Sequence, residues 1–131
     1  MTMPAGRYYV GDLCYVMTDW EWDEFCDITI KVHECVDGEF EFADGRRFAT
    51  YGTAWGDGVY HSNRGTSHSV DAGLIGCIRI QDIQASKYED LESLGAVVDF
   101  DQDFETGEDQ GVIWFGTLRV DTQCEEAVGD E

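Results

Sequence analysis

Apolar and polar residues alternate with period two along much of this chain, and only two stretches carry the three-and-four spacing of a helix. Arg7-Tyr8-Tyr9-Val10 reads as a short strand stopped by Gly11-Asp12, with Cys14-Tyr15-Val16 as its continuation or return. Thr18-Asp19-Trp20-Glu21 has the spacing of a capping box, in which Thr18 and Glu21 satisfy each other's orphan amides. It predicts a short helix to about Asp27, with Trp22, Phe25 and Cys26 turned to the core. From Ile28 the period changes to two through Ile30 and Val32, and Asp37-Gly38 supplies a hairpin turn into Phe40 and Phe42. Asp44-Gly45 predicts another hairpin, into Arg46–Ala54. Tyr88, Leu91 and Leu94 return to helical spacing over Ala85–Leu94, and Gly95 is placed to end that helix in a left-handed conformation.

Beyond this second helix, Ala96–Glu105 and Val112–Asp121 both alternate and flank residues 106–111, which predicts two long antiparallel strands. The expected fold is α+β: one domain over residues 1–121, a twisted antiparallel sheet with two short helices, followed by an acidic, frayed tail over 122–131. A chain of 131 residues with 43% apolar and 13% aromatic side chains can build one core. It contains no apolar run of the length a membrane span needs, and its first residues lack the ordered basic and apolar regions of a signal peptide, so a cytoplasmic location is expected, that of the host cell if the chain is phage-encoded.

Charge changes the picture most. Against 28 Asp and Glu stand 8 Lys and Arg, a formal net charge of −20. Through Lys87 there are 14 acids and 7 bases; from Tyr88 onward there are 14 acids and only Arg119. A surface of this sign does not grip nucleic acid or anionic lipid, because such binding needs Lys and Arg to displace counterions. It suits a cationic partner or the imitation of a polyanion. Alternation over 98–105 sets Val98, Phe100, Gln102 and Phe104 on one face, and Asp99, Asp101, Asp103 and Glu105 on the other. On a regular strand those acids would stand about 6.8 Å apart, half the linear density of phosphates along a DNA strand. A second row is needed, and Glu108, Asp109 and Asp121, with Glu89, Asp90 and Glu92, are the candidates.

The expected partner is therefore the basic DNA-binding surface of a host protein complex, and the expected contact set is Asp99, Asp101, Asp103, Glu105, Glu108 and Asp109. By charge alone the chain resembles acidic anti-CRISPR and anti-restriction proteins that mimic DNA, which implies an inhibitor and no catalytic residue. An acidic interaction module without mimicry is one alternative.

Other segments hold the raw material of chemistry. Six glycines between Gly52 and Gly76 accompany Asp57, His61, His68 and Asp71, and a small-molecule site or enzyme built there would place a histidine that titrates near neutrality beside a carboxylate. No phosphate-binding glycine motif, catalytic triad or nucleophile elbow accompanies them. Cys14, Cys26, His33 and Cys35 are chemically suited to zinc but match no familiar ligand spacing. Asp99-Phe-Asp-Gln-Asp103 opens like a calcium loop, yet Phe104 and Gln110 occupy the positions that need glycine and glutamate. No cofactor or metal is assigned, and the five cysteines are read as free thiols, mostly buried.

Three further stretches are Gly11-Asp12-Leu13-Cys14-Tyr15-Val16, Trp55-Gly56-Asp57-Gly58-Val59-Tyr60 and Val70-Asp71-Ala72-Gly73. In these the chain resembles uncharacterised small acidic phage and bacterial proteins, and it departs from their pattern at Leu13, Trp55 and the more acidic last third. The resemblance implies a phage or prophage origin and no activity.

Overall fold

The computed structural model describes residues 2–31, 34–35, 37–53, 58–70, 73–83 and 91–122. Its centre is a five-stranded antiparallel sheet in the order β4-β5-β8-β1-β9, where β1 is Gly6–Gly11, β4 Gly38–Glu41, β5 Arg47–Gly52, β8 Leu74–Arg79 and β9 Ala96–Phe100. A three-stranded meander of β10 (Thr106–Asp109), β11 (Val112–Phe115) and β12 (Leu118–Asp121) packs beside it with the hairpin of β6 (Gly58–His61) and β7 (Ser67–Val70). The hairpin joins the meander through a bridge between Ser62 and Val120 and through hydrogen bonds between Asn63 and Arg119. Helix α1, Asp19–Thr29, runs directly into β2, Ile30–Lys31, which pairs with β3, Glu34–Cys35. The fold is mostly antiparallel sheet, with one full helix rather than two among the described residues, and two 3-10 turns at Leu13–Tyr15 and Ile80–Asp82.

The central sheet is buried on both faces, so alternation along its strands separates two cores instead of core from solvent. Tyr8, Val10, Ala49, Tyr51, Ile75, Cys77, Ala96 and Val98 face the meander and hairpin, meeting Ile113, Phe115, Leu118, Val120, Tyr60 and Val70. Tyr9, Phe48 and Ile78 face the other way, against Phe25 of α1, Leu13, Val16 and Leu91. This explains why β1 and β8 read as nearly continuous apolar runs.

Local chemistry accounts for most boundaries. The Glu21 carboxylate accepts the Thr18 amide (2.9 Å) at the start of α1, and Phe25 is buried with Trp22 stacked on it. The Asp44-Gly45 turn joins β4 to β5 as expected, Gly45 taking φ +96°. Gln110 and Gly111, both at positive φ, form the turn between β10 and β11.

Four expectations are corrected. Cys14-Tyr15-Val16 is no strand: residues 13–15 form a 3-10 turn, whose first free amides are met by the buried Asp12 carboxylate accepting from the Cys14 N–H (3.0 Å). Asp37-Gly38 does not close a hairpin with the strand after α1, because β4 pairs with β5 and β2 with β3. Gly95 is not in the left-handed region; it is needed because a Cβ there would stand 2.4 Å from the Val10 carbonyl oxygen. The two long strands are the largest correction. Only Ala96–Phe100 is strand, and it pairs with β1 at the sheet edge, while the chain after it bends and re-forms as the separate meander. Of Ala85–Leu94, a single turn at Leu91–Leu94 is described; residues 84–90 and 123–131 lie outside the described residues. Thr122, assigned by sequence to the tail, is buried and donates its hydroxyl to Gly111 O (2.5 Å).

Candidate functional site

The acidic stretch begins on an edge strand and leaves it. Arg7 and Asp99 are register partners on β1 and β9, and the Arg7 guanidinium donates to Asp99 at 2.8 and 3.3 Å. Five residues later the chain is pinned again, where Met3 and Phe104 exchange both backbone hydrogen bonds (2.8 and 2.9 Å). Between these anchors, residues 101–103 form an exposed excursion held over an aromatic stack. Phe100 and Phe104 lie parallel with centroids 3.8 Å apart, and Tyr8 meets both edge-on. Gly116, at φ +62°, passes beneath, where a Cβ would stand 3.3 Å from the Phe100 ring and 3.3 Å from the Phe104 Cβ.

With Phe100 and Phe104 turned inward, Asp99, Asp101, Asp103 and Glu105 all emerge into solvent. Alternation therefore gave the sides of the four acids and of Phe100 and Phe104, although only the first acid is on a strand, while Gln102, expected on the packed face, is exposed at the bend. Their regular spacing does not hold, because the backbone bends at 101–102. Asp103 accepts the Ala5 amide (3.0 Å), while the carboxylates of Asp101, Glu105 and Asp109 carry no hydrogen bond or ion pair among the described residues. The Arg7 hydrogen bond holds the Asp99 carboxyl below the usual carboxylate range.

Five of the six expected contact residues line two adjoining grooves. One, about 430 Å³, holds Asp99, Asp101, Asp103 and Glu105, with Arg64 at its end. The other, about 780 Å³, lies over the meander and holds Glu105, Asp109 and Asp121. Glu105 and Gly116 line both. Glu108 is the exception: its register partner Ile113 is fully buried, and its carboxylate turns back to accept the Gly111 amide (2.8 Å). Of the expected second row, Asp109 and Asp121 are present on this side, and Glu89 and Asp90, with the Glu92 side chain, lie outside the described residues. Sequence reasoning did not include Trp114, which lines the larger groove beside those acids. Its signal was alternation along β11, where Val112 and Trp114 take the face opposite Ile113 and Phe115.

Among the described residues, the two histidines of the glycine-rich segment do not converge. His61 and His68 occupy neighbouring register rows of the β6–β7 hairpin and point to opposite faces. His61 is exposed, 3.2 Å from the Ser67 hydroxyl. His68 is completely buried, with Nδ1 3.0 Å from the Val10 carbonyl oxygen and Nε2 2.8 Å from the Thr66 hydroxyl. Burial depresses its pKa to about 4, so the ring is neutral and bonded on both sides, the condition of a structural rather than a titrating histidine. Asp57 and Asp71 lie outside the described residues, as do His33 and the Cys35 side chain. Cys14 and Cys26 are half-buried thiols outside any disulfide, and Cys77 is a fully buried one whose pKa burial pushes up. Among the described residues no three His, Cys, Asp or Glu side chains converge as a metal site, and no helix is long and apolar enough to cross a membrane.

Gly11-Asp12-Leu13-Cys14-Tyr15-Val16 has a structural account. Asp12 and Leu13 are buried, Tyr9 donates its hydroxyl to the Asp12 carbonyl (3.1 Å), and a Cβ on Gly11 would stand 2.6 Å from that hydroxyl. Compared with family models, curated proteins and solved structures, the chain matches none.

Proposed function

We propose that this protein is a phage-type anti-defence inhibitor, similar in kind to anti-CRISPR proteins, that acts as an acidic DNA mimic and blocks the DNA-binding channel of a host nucleic-acid-targeting complex. One observation carries the reading: Asp99, Asp101, Asp103, Glu105 and Asp109 are exposed together along two adjoining grooves, on a chain of net charge −20. Maintaining so many like charges on one small domain opposes folding through self-repulsion, and long-range attraction to a basic channel is a physical return for it. Inhibition is then steric and electrostatic competition, with no bond made or broken.

The deciding experiment uses a panel of purified CRISPR effector complexes and a DNA-binding assay. At least one complex is expected to lose DNA binding as the protein is added, with added target DNA competing. The inhibition should weaken steeply with salt, as the Debye length falls to about 8 Å at physiological ionic strength. Replacing Asp99, Asp101 and Asp103 together by Asn keeps side-chain size and removes three charges, and should weaken inhibition without unfolding the domain. Full inhibition by that triple variant, or simultaneous binding of DNA and protein at one channel, would overturn the reading.

A further inference from the structure

The outer face of the meander carries the larger groove, and its floor is aromatic. Ile113, Phe115, Leu118 and Val120 are fully buried on the inner face, so alternation sends Val112, Trp114, Arg119 and Asp121 outward. Gly107, Trp114 and Arg119 are aligned in one register row across the three strands. Because residue 107 has no side chain, the six-membered half of the Trp114 indole lies down on the sheet: a Cβ at Gly107 would stand 2.3 Å from Cζ2 and 2.7 Å from Cε2. The ring is thereby held with one side against the β10 backbone, and Trp114 lines the open groove of about 780 Å³.

Among the described residues, three carboxylates, Glu105, Asp109 and Asp121, line that groove with a single cation, Arg119. Arg119 forms no ion pair among the described residues, and the cation–π contacts there belong to Arg46, with Trp20 and Phe42. The arrangement is an aromatic platform with an excess of carboxylates around it. That combination suits one chemistry above others. A guanidinium is planar, weakly hydrated and carries a fork of donors, so it stacks on an indole while donating to carboxylates at the rim; an ammonium is a strongly hydrated point charge that gains less from the ring. A nucleobase would also stack, but its phosphate would meet the acids.

We propose that the Trp114 groove seats an arginine side chain of the basic partner, stacked on the indole and bonded to the surrounding carboxylates. The inference rests on the proposed function only for the partner's being basic, and it adds selectivity to what charge alone would make indiscriminate.

The test compares two synthetic nine-residue peptides of equal charge, one with arginine and one with lysine, binding to the full chain at physiological salt. The arginine peptide is expected to bind about two- to fivefold more tightly. Trp114→Leu should reduce that preference to near unity while both peptides still bind. The Asp99, Asp101, Asp103 triple Asn variant should weaken both peptides and keep the preference. That outcome separates this inference from the proposed function, since a panel showing no inhibited complex would leave the peptide preference intact. If Trp114→Leu fails to fold, the wild-type nuclear magnetic resonance spectrum decides, with the Trp114 indole N–H assigned in a Trp114→Phe variant and expected to move most on adding arginine peptide. Equal affinities for the two peptides, a preference retained by Trp114→Leu, or movement confined to another indole would overturn the proposal. So would concentration-dependent self-association lost in Trp114→Leu, which would make a second copy of the chain the occupant.

Discussion

Arg46, at the end of the β4–β5 turn, donates from its guanidinium to Glu21 in the first turn of α1, a carboxylate only 2% exposed. The same guanidinium binds Asp44 (2.9 Å) and the Asp82 carbonyl oxygen (3.0 Å) and lies 4.7 Å from the Phe42 ring centroid. One of the chain's few cations thus ties the helix, the hairpin turn and the second 3-10 turn into the core that backs the central sheet. The capping box recognised in the sequence is half of this arrangement; its other half arrives from 25 residues away.

Removing Arg46 leaves Glu21 buried without its main counter-charge. Arg46→Ala is expected to destabilise the fold by about 3 kcal/mol, read as a lowered urea midpoint at unchanged slope. Burial by itself would raise the Glu21 pKa, but hydrogen bonds from the Thr18 amide and the Arg46 guanidinium outweigh it and hold the carboxyl below its ordinary value. The contribution is therefore present above the ordinary carboxylate range and is lost as pH falls through the lowered value. In Arg46→Ala this loss on acidification should be smaller than in the wild type.

His68 gives a second acid sensitivity at higher pH. Its folded pKa of about 4 lies below the ordinary 6.5, so between these values the unfolded chain binds the extra proton. Stability should be complete above pH 6.5 and fall as pH drops toward 4, by at most about 3 kcal/mol from this ring. Thermal unfolding at a series of pH values tests it. His68→Phe, although less stable at neutral pH because the Val10 carbonyl and Thr66 hydroxyl each lose the imidazole hydrogen bond, should show a flatter profile between pH 6.5 and 5.

Two glycines separate steric need from conformational need. A Cβ at Gly76 would stand 2.1 Å from the Ala49 carbonyl oxygen, a backbone atom of the paired strand. Gly76→Ala should therefore cost roughly 3 kcal/mol or more. Gly65, at φ +82° with nothing within 4 Å of its Cβ position, should lose only about 1 kcal/mol on the same change. Equal urea midpoints for the two variants would refute the distinction.

Salt should act oppositely on folding and on binding. Screening relieves repulsion within a chain of net charge −20, so the thermal midpoint should rise as sodium chloride is added, while attraction to a basic partner weakens. Asp101→Asn, which removes an exposed charge with no partner among the described residues, should leave the midpoint unchanged or raise it.

The candidate site was half legible. Alternation over 98–105 placed Phe100 and Phe104 inward and the four acids outward, because each aromatic finds a pocket, but Gln102, expected inward, is exposed where the backbone bends between them. Glu108 stands apart from the other five because its side of β10 faces the core of a meander whose existence the continuous alternation concealed. The groove beside the acids was invisible, since it depends on Gly107 meeting Trp114 across a register set by the Gln110-Gly111 turn.

The amino-acid sequence by itself determined what depends on neighbours in the chain: the start of α1, the Asp44-Gly45 turn, the alternating faces, the sheet-dominated character and the strongly negative charge. Tertiary structure alone decided which strands pair. β9 joins β1 across 85 or more intervening residues rather than folding back on β11, a choice made by the burial of Tyr8, Val10, Ala96 and Val98 against one shared core. The same packing neutralised His68, took Glu108 out of the acidic face and laid Trp114 open beside the rest. Hydrophobic patterning states which side of a strand is buried, whereas partner, register and the surroundings of each charge follow from contacts between distant segments, which no local pattern encodes.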